Sequence, residues 1–477
     1  MSDWKLDWSP LFHSPPRWMR EGKFGLFFHW GVYSVPACEN EWYSRNMYLK
    51  GSRQNLEHER RFGPVSTFGY KDFIPMFTAE HFDPQAWADL VVRSGARYAG
   101  PVTEHADNFS MWNSRVNPVN AFRMGPRRDV TGECARAFRR RGIPFLSAFH
   151  HQWLWGWFMS TDSEADVYDP ANEVYYGPAL PLETNRYRPY RLPDRKFAET
   201  WLEKIREVSE AYRPDILYFD GRVMILPEEI RYEAARAYYR AVPEGIITCK
   251  QADFPEGLGV PDVECGRFAQ IQPFFWQTDD RLEDRVTWCI VQEPKYKSAA
   301  RIIQQLSDVT AKNGCLLLNV GPRADGRFHP DAVRVLERVG DWLRVNGEAI
   351  YGTRPFTVPG EGVTRGMTED YNPERLRQQM KDGLALESGP YCFTGEDVRY
   401  TRRDGILYVI GFGVPENREL RLRALRCSGD LGPVRSARLL GTDMQAGMER
   451  TGEAMTLRIP ERLPFEEAWV VRLETDS

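Results

Sequence analysis

The stretch FAETWLEKIREVSEAYRPDILYFDG, residues 197–221, decides the fold. Trp201, Ile205, Val208 and Tyr212 recur at helical spacing, and the apolar run 216–219 then leads without interruption into Asp220 and Gly221. A helix feeding a short, wholly apolar strand is half of a βαβ unit, because a parallel strand is covered on both faces. The same alternation extends in both directions. FGLFFHWG (24–31) reads as a strand, PQAWADLVVRSG as a helix stopped by Gly95, and YAGPVT as a strand ending at 103. TGECARAFRRRG precedes PFLSAFHH, PEEIRYEAARAYYRAV precedes GIITCK, and a helix carrying Ile302, Leu306 and Val309 precedes CLLLNVG. That many units in one segment predicts a closed (β/α)8-type barrel rather than an open sheet. No G-x-G-x-x-G follows an early strand, which lowers the dinucleotide-binding alternative.

After YGTRP (351–355) the texture changes. DVRYTRRDGILYVIGF, LRLRAL, MTLRIP and EAWVVRLE are short, β-prone and separated by Gly, Asp and Pro, which predicts an antiparallel β-sandwich. The expected organisation is an α/β TIM-like barrel over residues 1–355 and a C-terminal β-sandwich over 356–477, with the polar stretch 360–390 unassigned.

Bulk properties narrow the function. A chain of 477 residues needs more than one core, and 42% hydrophobic with 27% charged residues is ordinary globular composition. The net charge of -4 comes from mixed charges, with no Lys/Arg run to track a phosphate backbone, so nucleic acid is not expected. No segment reads as a signal peptide or a membrane span. Eight cysteines scattered from Cys38 to Cys427 without a C-x-x-C pair suit buried thiols in a reducing cytoplasm, the expected location.

His29, His105, His150 and Asp220 each end an apolar strand candidate. In a barrel those ends converge on the face that carries active sites, and four titratable groups there would each need a partner if merely buried. Glu264 in GVPDVECG reads, by itself, as a solvated loop residue. Trp30, Trp42, Trp112, Trp153, Trp155, Tyr218, Phe275 and Trp276 fall near the proposed strand-end loops, where rings can stack on sugars.

At these residues the chain resembles glycoside hydrolase family 29, the α-L-fucosidases. The resemblance runs through KFGLFFHWGVYS, EWYSRNMY, the F-x-P-x-x-W-A-x-L helix, EHADNFSMWNS, DILYFDG, VECGRF before FFWQT, CLLLNVGPRADG and WLRVNGEAIYGTRP. It implies a retaining exo-glycosidase with Asp220 as nucleophile and Glu264 as acid/base, without metal or organic cofactor. It also implies sugar contacts from His29, Glu41, Trp42 and Tyr218, and the expected substrate-binding set is completed by His105, His150, Lys250 and Trp276. The expected partner is a carbohydrate, an α-L-glycoside, and an oligomer stays open. Where the family usually reads His-His-Asp-Gly-Phe, this chain has His105-Ala106-Asp107-Asn108-Phe109, and FHHQW (149–153) replaces a Tyr-Tyr-Ser-like strand, so His150 or His151 could compensate. Loss of a hydroxyl-binding ring changes which sugar fits, and L-fucose competes with L-galactose or L-glucose as the substrate sugar. Two other classes stand beside this reading: a metal-dependent hydrolase, suggested by His105-x-Asp107, and a non-catalytic sugar-binding protein.

Overall fold

A computed structural model describes residues 4–180, 182, 191–250, 253–362, 393–427 and 431–475. Eight parallel strands close a barrel: β1 (Phe24–Phe28), β2 (Tyr98–Glu104), β3 (Leu146–Phe149), β4 (Ile216–Phe219), β5 (Ile246–Lys250), β6 (Val260–Asp262), β7 (Trp276–Arg281) and β8 (Gly314–Asn319). Closure is the pairing of β1 with β8, from Phe24 beside Leu316 to Phe27 beside Asn319. Phe27, Tyr98, Val102, Leu146, Ile216, Tyr218, Ile246, Val260 and Leu317 fill the interior, so the lower barrel is a packed core and not a pore. Strand spacing there is tight: a Cβ at Gly100 of β2 would land on the Leu146 carbonyl oxygen, which leaves glycine as the residue that fits.

Among the described residues, six long helices wrap the strands: α1 (Pro84–Ser94), α2 (Val130–Arg140), α3 (Arg195–Tyr212), α4 (Glu228–Ala241), α5 (Ala299–Ala311) and α6 (Pro330–Asn346). Their starts follow capping chemistry, with Asp83, Asp129, Asp194 and Ser298 side chains accepting first-turn N–H groups. Gly95 ends α1 in the left-handed region at φ 80°. The helix and strand expectations are met in this frame, with two exceptions. GVPDVECG, where Glu264 reads as a loop residue, contains β6, and β7 begins within FFWQT, for which no strand is expected; among the described residues no helix separates β5 from β6 or β6 from β7. The reason is chemical: β7 is WQTDDR, a strand whose interior is charged, so apolar periodicity cannot reveal it.

The C-terminal strands form two antiparallel sheets. β9 (Arg354–Glu361), β10 (Val398–Arg403), β11 (Ile406–Gly411), β13 (Val434–Leu439) and β16 (Trp469–Thr475) make a five-stranded sheet, and β12 (Glu419–Leu422), β14 (Gly447–Arg450) and β15 (Met455–Arg458) make the other. Phe356, Val409 and Leu473 from the first meet Leu420, Met455 and Leu457 from the second in one apolar cluster, a sandwich core. Asp404 and Gly405, at φ 52° and 77°, turn β10 into β11 as an Asp-Gly hairpin. Most of the stretch 360–390 lies outside the described residues.

The sandwich docks on α5 and α6. Asp308 of α5 accepts from Arg399 of β10 at 2.6 Å and from Lys312 at 2.7 Å, all three being buried. The Trp342 indole of α6 donates to the Ala468 carbonyl at 2.8 Å. Burial pushes the Asp308 carboxyl up, but the Lys312 and Arg399 charges outweigh it and hold the group down at about 2. The contribution of this ion trio is therefore complete above the usual carboxylate range and lost only as pH falls through about 2. Asp308→Ala leaves two buried cations unpaired, which should cost about 3–5 kcal/mol. Chemical denaturation at pH 7 measures it, and a loss below 1 kcal/mol would show that the sandwich is held otherwise.

Candidate active site

The eight strand ends converge on a polar mouth. His29 follows β1, His105 follows β2, His150 follows β3 and Asp220 follows β4; Lys250 and Asp262 are the last residues of β5 and β6; Asp279 lies in β7; Asn319 closes β8. Each sits one layer above the apolar interior, where the side-chain alternation of a strand returns to the barrel axis.

Three imidazoles form one wall. His29, His105 and His150 are buried, with ring centroids 4.9–5.8 Å apart. Asn319 Oδ1 accepts both the His29 backbone N–H at 3.1 Å and His29 Nδ1–H at 2.7 Å. The Asn319 amide in turn donates to the Trp288 carbonyl, so the acceptor role of Oδ1 is fixed. His29 therefore turns a bare Nε2 lone pair away from Asn319. Burial drives the His29 pKa down to about 4 and those of His105 and His150 well below the ordinary histidine value. All three are neutral at pH 7; His29 offers a ligand its Nε2 as an acceptor, and His105 and His150 can each present either a donor or an acceptor nitrogen. Nδ1 of His105 and Nδ1 of His150 find no partner in the protein, an arrangement suited to a ligand rich in hydroxyls.

The same three rings each bring a nitrogen within 4.8 Å of the others and, among the described residues, are the group that could hold a metal ion. The His105-x-Asp107 pair is not: Asp107 turns away, accepting from the Tyr70 hydroxyl at 2.7 Å and the Phe109 N–H at 3.3 Å. His151 also leaves the site. It pairs with Glu104, which is bound to Lys204 at 2.7 Å, and stacks on Phe197. Between the two candidates in FHHQW, the one that joins the wall is His150. Ala106 is buried in the apolar cluster.

Opposite lie the carboxylates. Lys250 Nζ donates to Asp262 at 2.7 Å and Asp279 at 2.8 Å, and stands 3.7 Å from Glu264 Oε2 and 4.0 Å from Asp220 Oδ1. His150 Nε2 is 3.6 Å from the other Asp220 oxygen. Gly221 and Arg222, at φ 59° and 60°, turn the chain sharply after Asp220, and the Trp153 indole donates to the Asp220 carbonyl at 2.6 Å. The Glu264 loop is pinned to β7 by Val263 N–H to Gln277 O at 2.9 Å and Cys265 N–H to Asp279 O at 2.8 Å. Burial raises both the Asp220 and the Glu264 pKa, with Lys250 pulling each back down; the Glu264 charge raises Asp220 further, as Asp279 does Glu264. Two such groups cannot both ionise freely, so protons leave them as a coupled pair.

The aromatic expectations divide. Trp42 packs on Trp153 and Trp157 at 5.6 and 4.5 Å, next to Glu41, whose carboxylate accepts the Trp288 N–H at 2.8 Å. Trp288 lies 5.4 Å from His29 and is a wall residue that sequence reading missed, as it missed Asn319, Asp262, Asp279 and Trp157. Asn319 could have been found, because it ends CLLLN as Asp220 ends ILYF. Trp276 is a correction. It begins β7 at the opposite end of the barrel, its indole donates to the Lys312 carbonyl at 2.9 Å and its ring packs on Phe268, so it cannot reach a ligand at the mouth. Phe275 lies under Lys23, and Trp30 and Trp112 are core residues. Tyr218 is corrected in role: fully buried, it donates to Asp279 at 3.0 Å and lies 3.5 Å from Asp220, so it floors the carboxylates and does not flank the pocket.

A barrel mouth with two raised carboxyls, neutral imidazoles and exposed-edge indoles is the constitution of a glycoside hydrolase. Comparison with known proteins agrees. The α-L-fucosidase family model matches residues 2–348. Human tissue α-L-fucosidase is 31% identical over 380 residues, 75% of this chain and 74% of that protein. The bovine tissue α-L-fucosidase is 31% identical over 377 residues, 74% of this chain and 73% of that one. A Thermotoga maritima α-fucosidase solved with fucose superposes with a TM-score of 0.75 at 25% identity, covering 98% of this chain and 100% of that one. The chain belongs to the α-L-fucosidase family.

Burial raises the carboxyls of Glu41, Asp107 and Asp253 to about 7. Such groups bind their proton more tightly folded than unfolded, so their stabilisation is complete at low pH and is lost as pH rises from about 4 to 7, by up to about 1.4 kcal/mol per pH unit for each. Asp107→Asn removes one of these groups. Its stability relative to wild type should improve between pH 5 and pH 7.5 in urea titrations, and an equal gap at both pH values contradicts the assignment.

Proposed function

We propose that the protein hydrolyses terminal α-L-fucosides with retention of configuration, Asp220 attacking and Glu264 serving as acid and then base. The observation that carries this reading is the pairing of Asp220 and Glu264 about one ammonium at the barrel mouth. It bounds the separation of their nearest oxygens at under about 8 Å, within reach of one glycosidic bond. Exposure supports these roles: the Glu264 side chain is 43% exposed and Asp220 25%, which favours Glu264 as the group nearer the departing aglycone. Family membership and the fucosidase names of the relatives support the sugar.

In the first step an Asp220 oxygen bonds the anomeric carbon as the glycosidic oxygen takes the Glu264 proton and departs. In the second, Glu264 removes a proton from water, whose oxygen displaces Asp220. The neutral imidazoles of His29, His105 and His150 bind ring hydroxyls without competing for the catalytic proton. The indoles of Trp42 and Trp288 are the rings available to cover the sugar's apolar face.

Asp220→Gly should lower turnover of an aryl α-L-fucoside by about four orders of magnitude or more, with azide restoring it as a glycosyl azide. Glu264→Ala should spare substrates with good leaving groups. NMR of the first-formed product should show the α anomer. Near-normal activity in both variants, or a β first product, overturns the mechanism.

His150 in the imidazole wall and the buried, apolar Ala106 next in sequence to His105 depart from the family pattern, and they favour a second reading in which the preferred sugar is an L-galactoside or L-glucoside. Comparing kcat/KM on the three aryl α-L-glycosides decides between them. The three-histidine cluster gives the metal-dependent reading its one support. EDTA should leave activity intact; loss to the chelator with recovery on Zn²⁺ would replace the two-carboxylate mechanism.

A further inference from the structure

Lys250 occupies a position that sugar binding does not explain. An ammonium has three donors. Two are spent on Asp262 and Asp279, at 2.7 and 2.8 Å, and these carboxyl groups are themselves held, Asp262 by the Gln277 amide at 2.6 Å and Asp279 by the Tyr218 hydroxyl at 3.0 Å. Strands β4, β5, β6 and β7 thus lock the ammonium in place. Its third face meets Glu264 and Asp220 at 3.7 and 4.0 Å, nearly equidistant from the two.

We propose that Lys250 is a stationary counter-ion shared by Asp220 and Glu264, neutralising the negative charge as it passes from one carboxylate to the other during glycosyl transfer. This rests on the reading of that pair given above. When the Asp220 oxygen bonds the anomeric carbon, the electron pair of the breaking C–O bond leaves with the aglycone oxygen, which takes the Glu264 proton. Asp220 becomes a neutral ester and Glu264 an anion. When water attacks, its proton goes to Glu264 and the ester bond's electron pair returns to Asp220. One unit of charge crosses the site and comes back, and an ammonium fixed between the two carboxylates attracts it at both ends without moving. A cation already in place adds no reorganisation to the barrier. Among the described residues, the other charged or titratable groups around this hub include Glu41, Cys249 and Cys265, Asp253 from the loop after β5, Arg281 of β7, and His29 and His150 across the mouth. The histidines are neutral, and Arg281 is engaged with Cys265 at 3.1 Å and the Arg285 carbonyl at 2.8 Å. Lys250 is therefore the ammonium common to both carboxylates.

The test compares Lys250→Arg, Lys250→Met and the double variant K250M/D262N with wild type, using pH profiles of kcat and kcat/KM on an aryl α-L-fucoside. The double variant replaces Asp262, whose carboxyl burial and Asp279 push toward its protonated form, by a neutral amide, so Asp262 cannot be left as an unpaired anion if K250M alone does not fold. Circular dichroism and thermal midpoints establish folding. In the double variant kcat should fall about 100-fold or more, with KM changing less than about threefold. Both limbs of the pH profile should move to higher pH by about one unit or more, because both carboxyls lose the cation that favours ionisation. Lys250→Arg should keep the limbs near their wild-type positions. A double variant whose limbs stay fixed, or an arginine variant that shifts as far as the methionine one, overturns the proposal. Wild type and Asp220→Gly with azide run alongside. If they behave as a retaining enzyme requires while the limbs stay fixed, only the role of Lys250 falls; if wild type has no activity, the carboxylate pair falls and Lys250 with it.

Discussion

Four carboxylates crowd around one ammonium at the barrel mouth, and the rest of the site is arranged to make that tolerable. Asp220, Asp262, Glu264 and Asp279 reach Lys250 from β4, β6, the loop after β6, and β7. Taking so many like charges out of water is costly unless each is paired or keeps its proton. The structure uses both means: Lys250, Gln277 and Tyr218 supply donors, and burial with mutual repulsion raises Asp220, Asp262 and Glu264 toward their protonated forms. Two carboxyls raised and coupled in this way support the acid and nucleophile roles proposed for them.

The histidine wall follows from the same desolvation with the opposite sign. Burial favours the uncharged imidazole, so His29, His105 and His150 add no positive charge beside the carboxylates. Asn319 closes β8 next to β1 and fixes the His29 tautomer, so barrel closure and site geometry are one event. The lower barrel, packed with aliphatic and aromatic side chains, is the rigid base that holds these groups in register.

The two domains are joined by a different kind of contact. Asp308, Lys312 and Arg399 form a buried trio on α5 in which every charge has a partner, and Trp342 adds an indole-to-carbonyl bond. These contacts lie on the outer helices, away from the strand ends, so the sandwich supports the barrel's flank and contributes none of the described site residues.

Much of this was legible in the amino-acid order. Apolar strands alternating with capped amphipathic helices specify a parallel barrel because each strand needs cover on both faces, and a polar residue ending such a strand has one place to go. His29, His105, His150 and Asp220 were found that way. β6 and β7 stayed hidden because their charged interior residues erase the apolar signal, and with them went Asp262 and Asp279. Only tertiary structure could separate His150 from its neighbour His151, send Trp276 to the far end of the barrel, or bring Lys250 between Asp220 and Glu264. Periodicity along one strand fixes which face a side chain takes, whereas the distance between charges on different strands depends on the stagger and closure of the whole barrel.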